Sequence, residues 1–375
     1  MATLIVVEDL AGRSVRGRGG HALYVLQTVR GLARLGHRVV FVECLDEEGD
    51  AEAIESFASL MARWWRLDAS ALLTRDGRVL AGMADDELDD AARSANAIIT
   101  LAAHYRREPW PRLERVRPRI LIEQDPGYSH LWAEGGDPRD IFGEHDVYFT
   151  VGANVGSARC RLPTFGIQWH PYFNPVELEL WSTRDDGADG AFRSVAGLRD
   201  YGWLEFEGKT LGPKIEELQA FAALPELTGE HVEIVSDLDE DDPDRAPLEA
   251  RGWRFRPPVD VADPESFRAF VLESAGEFSV AKGGYVGTRC GWFSDRSACF
   301  LAAGRPVVLQ ATGFEDVLPT GCGLFAVRDV EQAAAAIREI RAEPQVHAAA
   351  ARRIAREHFD ANRVLPAMLA TAGVV

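Results

Sequence analysis

Along this chain, short and mostly apolar runs alternate with longer stretches in which apolar residues recur every three or four positions. In the first half Leu4–Val7, His37–Val42, Asn96–Leu101, Arg119–Glu123 and Val147–Val151 are runs of the first kind. Such runs suit parallel strands covered on both faces. Between them Ala22–Leu35 places Leu23, Leu26, Val29, Leu32 and Ala33 on one helical face and stops at Gly36. Ala51–Leu67 repeats the pattern with Ile54, Phe57, Leu60, Met61 and Trp64, flanked by Trp65; Asp85–Arg93 and Pro109–Val116 read as shorter helices. In the second half, strands are expected at Phe192–Gly197, Val232–Val235, Phe278–Ala281 and Val307–Leu309. Helices are expected at Lys214–Leu224, Pro264–Ala275, Ser297–Ala303, Gln332–Ile340 and Ala348–His358, with a loop or short hairpin at Leu198–Pro213. Strand–helix alternation in both halves predicts two doubly wound, Rossmann-like α/β domains facing across a cleft. The expected boundaries are 1–170, a proline-marked linker at 171–190 ending in the polar tip DDGADG, 191–358, and a last helix at 359–375.

Composition narrows the class. The chain has 375 residues, 46% hydrophobic and 27% charged, enough for two cores. No apolar run approaches the roughly 18 residues of a membrane span, so no stable membrane insertion is expected. The start, MATLIVVEDL, reads as a strand rather than a signal peptide. Five scattered cysteines without C-x-x-C spacing fit reduced thiols and a cytoplasmic location. A net charge of −18 argues against nucleic acid as a partner, because duplex binding calls for a basic face. No H-x-x-x-H or C-x-x-C cluster asks for a metal, and Asp239-Glu240-Asp241 is a D-x-D only within an acidic run. Only three lysines, Lys209, Lys214 and Lys282, stand among 41 basic residues, all in the second half. A lysine is a compact charge suited to phosphate oxygens, which arginine does not simply replace.

The densest chemistry lies in 278–325. Lys282 and two glycines follow a strand. Gly291-Trp292-Phe293-Ser294-Asp295-Arg296 then leads into a helix that Ser294 or Asp295 can cap. Gly304 stops that helix, Arg305-Pro306 opens the next strand, and Thr312-Gly313 turns the chain at its end. A helix N-terminus beside a glycine-rich loop and a lysine is an anion site. The run Ala302-Ala303-Gly304-Arg305-Pro306-Val307-Val308 resembles the "A-x-G-x-P-V-V" segment of GT-B glycosyltransferases of the family 4 type. There the capped helix presents its N-terminus to the donor diphosphate. One departure is Cys299, at the position where those enzymes carry a ribose-binding glutamate. Lys214 resembles their donor-phosphate lysine without its neighbouring glycine. The resemblance implies donor contacts from Lys282, Lys214, Ser294, Asp295 and Arg296, with Thr312, Gly313 and Arg199 nearby. Trp253 either stacks on the base or packs in the core.

Two features of the first half complete the candidate site. Gly19-Gly20-His21 resembles the first loop of the GT-B glucosaminyltransferase that builds the cell-wall lipid precursor. On that resemblance His21 is a general base at the cleft, or else it packs at the helix start. The spacing Gly17-x-Gly19-x-x-Ala22 with Glu43 leaves NAD binding as an alternative, although about ten residues separate strand from glycines. Asp125, at a strand's carboxyl end in Asp-Pro-Gly, either acts as base, orients His21, or forms the turn. Asn154, in the loop Gly152–Gly156, is expected at the cleft. The resemblance implies transfer of a sugar from a nucleoside diphosphate to a small-molecule acceptor, with no cofactor or metal. A sugar-nucleotide epimerase and a non-catalytic nucleotide or sugar-binding regulator are the alternatives. The oligomeric state is open, a homodimer included.

Overall fold

In a computed structural model, the structure describes residues 1–12, 15–45, 50–65, 69–102, 112–181 and 190–374, without the side chains of Trp64 and Trp65. Two α/β sheets face each other. The first contains β1 (Thr3–Val7), β2 (Arg38–Leu45), β3 (Ser70–Thr74), β4 (Val79–Gly82), β5 (Ala97–Thr100), β6 (Arg119–Glu123), β7 (Val147–Thr150) and β8 (Trp169–Pro171). Its order is β4-β3-β2-β1-β5-β6-β7-β8, parallel except for the β3–β4 hairpin. A small antiparallel pair, β10 (Leu204–Phe206) with β11 (Lys209–Leu211), follows β9 (Phe192–Val195). The second sheet adds β12 (Val232–Val235), β13 (Trp253–Arg256), β14 (Gly276–Ser279), β15 (Val307–Gln310) and β16 (Leu324–Val327), in the order β13-β12-β9-β14-β15-β16 and wholly parallel. Parallel pairing requires crossovers, and the helices that supply them cover both faces, so the strands are buried.

The cleft lies where the carboxyl ends of both sets of strands meet, as expected for open α/β sheets. A single apolar core runs from β1 and the helix Gly19–Arg34 through Phe267 to Phe300 and Leu309, tying the two halves together. The C-terminal helix Ala361–Thr371 crosses back to the first half. There a Cβ on Gly31 would come within 2.6 Å of Leu365 Cδ1, so any larger residue would require the leucine to shift. No helix among the described residues is long and apolar enough to cross a membrane.

Several elements differ from the sequence expectation. The β3–β4 hairpin and β16 were not anticipated. Trp169–Pro171, expected as the approach to a linker, is an edge strand paired with β7, where proline's missing N–H is tolerated. Asp125-Pro126-Gly127 is not a closed turn but the start of a helix, Pro126–Glu134, with proline at its first position. Gly283-Gly284 likewise opens a short helix, Gly283–Thr288. Of the helix expected over Pro109–Val116, residues 109–111 lie outside the described residues, and 112–115 form turns. Most of the linker tip, residues 185–189, and the expected tryptophan face at Trp64 and Trp65 also lie outside them.

Candidate functional site

A cavity of about 380 Å³ opens between the sheets, lined from one side by His21, Tyr24, Gln124 and Asp125 and from the other by Lys214 and Lys282 with Ser294–Arg296. Each part follows from a strand end. β6 delivers Gln124 and Asp125, β14 delivers Lys282, and the loop after β9 is closed by Lys214. The helix Asp295–Ala302 points its N-terminus into the space, and no side chain caps its first-turn amides. Those amides and the helix dipole favour an anion.

The two lysines differ in their surroundings. Lys214 is 5% exposed. Burial, followed by the nearby charges of Arg296 and Lys282, pushes its pKa well below the usual lysine value. Among the described residues it has no hydrogen-bond or ion-pair partner. Lys282 is held: its ammonium lies 4.0 Å from Asp125 Oδ1 and 3.4 Å from the centroid of the Tyr201 ring. Tyr128 and Tyr285 complete an aromatic surround at 5.6 and 5.8 Å. Burial lowers the pKa of Lys282 too, opposed by Asp125. Lys209, by contrast, is exposed on β11.

Asp125 is the hub of this corner. Tyr285 Oη donates to its Oδ1, and Tyr201 Oη donates to Oδ2 at 3.1 Å. Its backbone N–H donates to Glu123 Oε1 at 2.5 Å. Glu123 also accepts from Ser129 and Thr150, and burial pushes its pKa up to about 8. Asp125 acts on His21 through its charge, which raises the histidine's pKa against the larger effect of burial. His21 Nε2 meets the Asp9 carbonyl at 2.9 Å. A carbonyl only accepts, so Nε2 carries the proton and Nδ1 keeps the lone pair. Burial lowers the His21 pKa below 6.5, which keeps that lone pair available at neutral pH.

Other expected site residues serve different ends. Arg296 lines the cavity, but its guanidinium pairs with Glu277 and donates to Val195 O at 2.7 Å and Ser279 Oγ at 2.9 Å. It braces the helix start, and the bidentate diphosphate contact expected of it competes with these bonds. Arg199 turns away to Asp242 and Asp244, both at 2.6 Å. Trp253 is 1% exposed, packs on Phe278 and donates Nε1 to Ala222 O at 2.9 Å; base stacking is therefore corrected to core packing.

Thr312, Gly313 and Asn154 form a seam between the halves rather than a donor or cleft surface. Asn154 Nδ2 donates to Arg289 O, Gly313 O and Asp316 Oδ2 at 3.2, 3.1 and 3.0 Å. Thr312 Oγ1 donates to Trp292 O at 2.6 Å. Gly19 and Gly20 belong to the same close docking. A Cβ on Gly19 would lie 2.3 Å from Asp263 O, and one on Gly20 would lie 2.9 Å from the Phe267 ring. On the far side a Cβ on Gly127 would lie 2.6 Å from Gly284 O. Of the glycines weighed as a dinucleotide fingerprint, Gly19 thus lets one lobe reach the other, while a Cβ on Gly17 would meet nothing within 4 Å. Glu43, its acidic partner in that reading, is buried, accepting from Ala11 N and Gly12 N at 2.7 and 2.9 Å.

Sequence reasoning missed Tyr201, Tyr285, Gln124 and Trp292. Tyr285 and Trp292 stack with ring centroids 4.4 Å apart at the cavity wall. Gln124 Nε2 donates to Tyr24 Oη at 2.8 Å. The aromatic flanks of Lys282 were visible as Gly283-Gly284-Tyr285, whereas Tyr201 reaches the site only through a positive φ of 72°.

Two parallel Rossmann-like sheets with this cavity between them and helices returning at the C-terminus define a GT-B-like fold, of the kind nucleotide-sugar glycosyltransferases adopt. Among solved structures the chain is similar to Anabaena HepE in complex with UDP-glucose, at 13% identity over 100% of both chains with a TM-score of 0.61. It is also similar to an alpha-glucosyltransferase in complex with UDP and a 13-mer DNA containing a central A:G mismatch, at 11% identity over 99% of both chains with a TM-score of 0.58. The N-terminal domain of Candida albicans trehalose-6-phosphate phosphatase matches at 11% identity over 98% of this chain and 96% of that one, with a TM-score of 0.54. At these identities the likeness is one of fold. No protein-family profile matches the sequence. No curated protein matches it either.

One expectation is overturned here. Net charge was read as excluding nucleic acid, yet a chain of this fold is solved with DNA bound. The overall charge of −18 therefore does not decide the partner class, since the field at a cleft is set by local groups.

Proposed function

We propose that this protein transfers a sugar from a nucleoside-diphosphate donor, a uridine nucleotide first among them, to a hydroxyl of a small-molecule acceptor. The observation that carries this reading is Lys214, a buried ammonium without a partner, facing the same cavity as Lys282 and the N-terminus of the helix Asp295–Ala302. An uncompensated buried charge is costly, and a ligand that neutralises it removes the cost. A diphosphate supplies two or more negative charges at that point. UDP in HepE and in the alpha-glucosyltransferase supports the choice of base.

In this reading Lys214, Lys282 and the first-turn amides stabilise charge as it develops on the leaving diphosphate. They carry out the task a metal would otherwise perform, and among the described residues no group of three His, Cys, Asp or Glu side chains is placed to hold one. His21 Nδ1, across the cavity, takes the proton from the acceptor hydroxyl. Asp125 positions Lys282 through its tyrosines. The Trp292–Tyr285 stack offers an apolar wall for the sugar face.

The test is a thermal-shift titration against UDP, GDP, dTDP, ADP and NAD without added metal. Stabilisation that grows with the logarithm of one nucleoside diphosphate supports the reading. No response to any nucleoside diphosphate, or a response to NAD alone, refutes it.

A further inference from the structure

A second cavity, of about 490 Å³, lies at the opposite end of the second sheet. It opens where Ala275 and Pro306 lead into β14 and β15, beside the helix Pro344–Ile354. Five arginines line it, Arg305, Arg341, Arg352, Arg353 and Arg356, and among the described residues no acidic side chain does. In a chain of net charge −18 this is a marked local reversal.

Only part of this charge is balanced within the protein. Arg341 pairs with Glu230 at 2.7 Å. Arg352 donates to the carbonyls of Trp181 and Leu178, each at 2.8 Å, and to that of Ala302, and among the described residues it forms no ion pair. Burial, then the neighbouring Arg356, lowers its pKa. Arg353 and Arg356 have no ion-pair partner among the described residues, and both face the cavity.

We propose that this cavity is a second binding site, for a small, multiply charged phosphate compound. Guanidinium forks match phosphate oxygens two at a time, which favours this chemistry over a single carboxylate. The enclosed volume falls within the range of small-molecule sites, about 300–1,000 Å³, rather than matching a flat surface for a polymer or membrane. The site is independent of the donor cavity, which sits at the carboxyl ends of the same strands.

Equilibrium dialysis of the full chain with labelled inorganic pyrophosphate tests this. The wild type is expected to bind two pyrophosphates per chain. Arg353→Ser with Arg356→Ser, which breaks no hydrogen bond of the fold, weakens one of the two by about tenfold or more; Lys282→Met weakens the other. Displacement from the arginine site by a hexose phosphate or by UMP then names a sugar-phosphate or a nucleotide source. A single site that is indifferent to the arginine changes overturns the inference. A single site that responds only to them leaves it standing and removes the donor reading instead. Arg352 and Arg341 also hold the carbonyls of Trp181 and Gly190, which bracket Asp185, Asp186 and Asp189 in sequence. If those aspartates neutralise the arginines, the wild type binds one pyrophosphate and D185N/D186N/D189N binds two, which overturns a site for an outside ligand.

Discussion

Replacing Lys214 with methionine is expected to stabilise the ligand-free protein while weakening its hold on a nucleoside diphosphate. Lys214 is 5% exposed, and burial, with Arg296 and Lys282, drives its pKa well below the usual lysine value. In the unfolded chain the lysine is ordinary, so between the two pKa values the unfolded state binds more protons. The cost of the buried charge is therefore full below the folded pKa and fades as pH rises towards the unfolded value. Each unit of depression is worth about 1.4 kcal/mol. For a chain of 375 residues, unfolding entropy near 2.1 cal/mol/K per residue turns each such unit into about 2 °C of Tm. Methionine keeps the stem's packing, so K214M should gain at least that much and lose the rise of stability with alkaline pH.

A bound diphosphate reverses the balance, because it restores the ammonium's charge. Nucleotide binding to the wild type should then take up protons, and K214M should take up fewer. Losing one charge-assisted contact costs about 1.5–3 kcal/mol, which is about 10- to 150-fold in Kd. Calorimetric titration of UDP in two buffers of different ionisation enthalpy measures both quantities, and scanning fluorimetry across pH gives the stability arm. A K214M protein that melts lower and binds UDP as the wild type does would refute the reasoning.

His21→Ala should lower kcat by about a hundred- to ten-thousand-fold with UDP affinity unchanged. Because burial lowers the His21 pKa below 6.5, the acid limb of the wild-type kcat profile should fall below that pH and vanish in H21A; a limb at higher pH would contradict His21 as base. Gly284→Ala should strain the docking of the two lobes, since its Cβ would lie 2.6 Å from Tyr128 Cε2. Overpacking of this kind costs about 1–3 kcal/mol, and an unshifted urea midpoint would show that the seam yields.

What the sequence made legible was whatever one-dimensional periodicity and local stop signals encode. Mostly apolar runs such as Arg119–Glu123 and Val307–Gln310 are parallel strands covered on both faces, and that leaves a nearly continuous pattern to read. The β3–β4 hairpin escaped although Asp76-Gly77 sits between Ser70–Thr74 and Val79–Gly82, with Gly77 at φ 87°. Its outer strand is only partly buried and so lacks a clear apolar run. Gly19 and Gly20 line the cavity, and together with Gly127 and Gly284 they admit the close approach of one lobe to the other, a demand set by residues a hundred or more positions away in sequence. Trp253 and Arg199 failed as site residues, since one found a core and the other a pair of aspartates.

Charge shows the limit most clearly. Summed over the chain it is −18, a number that describes solubility and long-range steering but no particular surface. The structure gathers part of the positive charge at two cavities, the lysine-lined one at the carboxyl ends of the strands and the arginine-lined one at their other end. The residue type matches what each place can tolerate. Within the lysine-lined cavity burial pushes the Lys214 pKa well below the usual lysine value, because lysine's pKa shifts readily on burial. Arginine cannot discharge in that way, so Arg296, at the same depth, is paired with Glu277. At the other end, Arg353 and Arg356 have no ion-pair partner among the described residues and stay charged at an exposed rim. The scarcity of lysine in the sequence was therefore informative for a physical reason: where an unpaired cation must be buried until an anion arrives, the side chain that can lower its own pKa is the one that costs least to keep there.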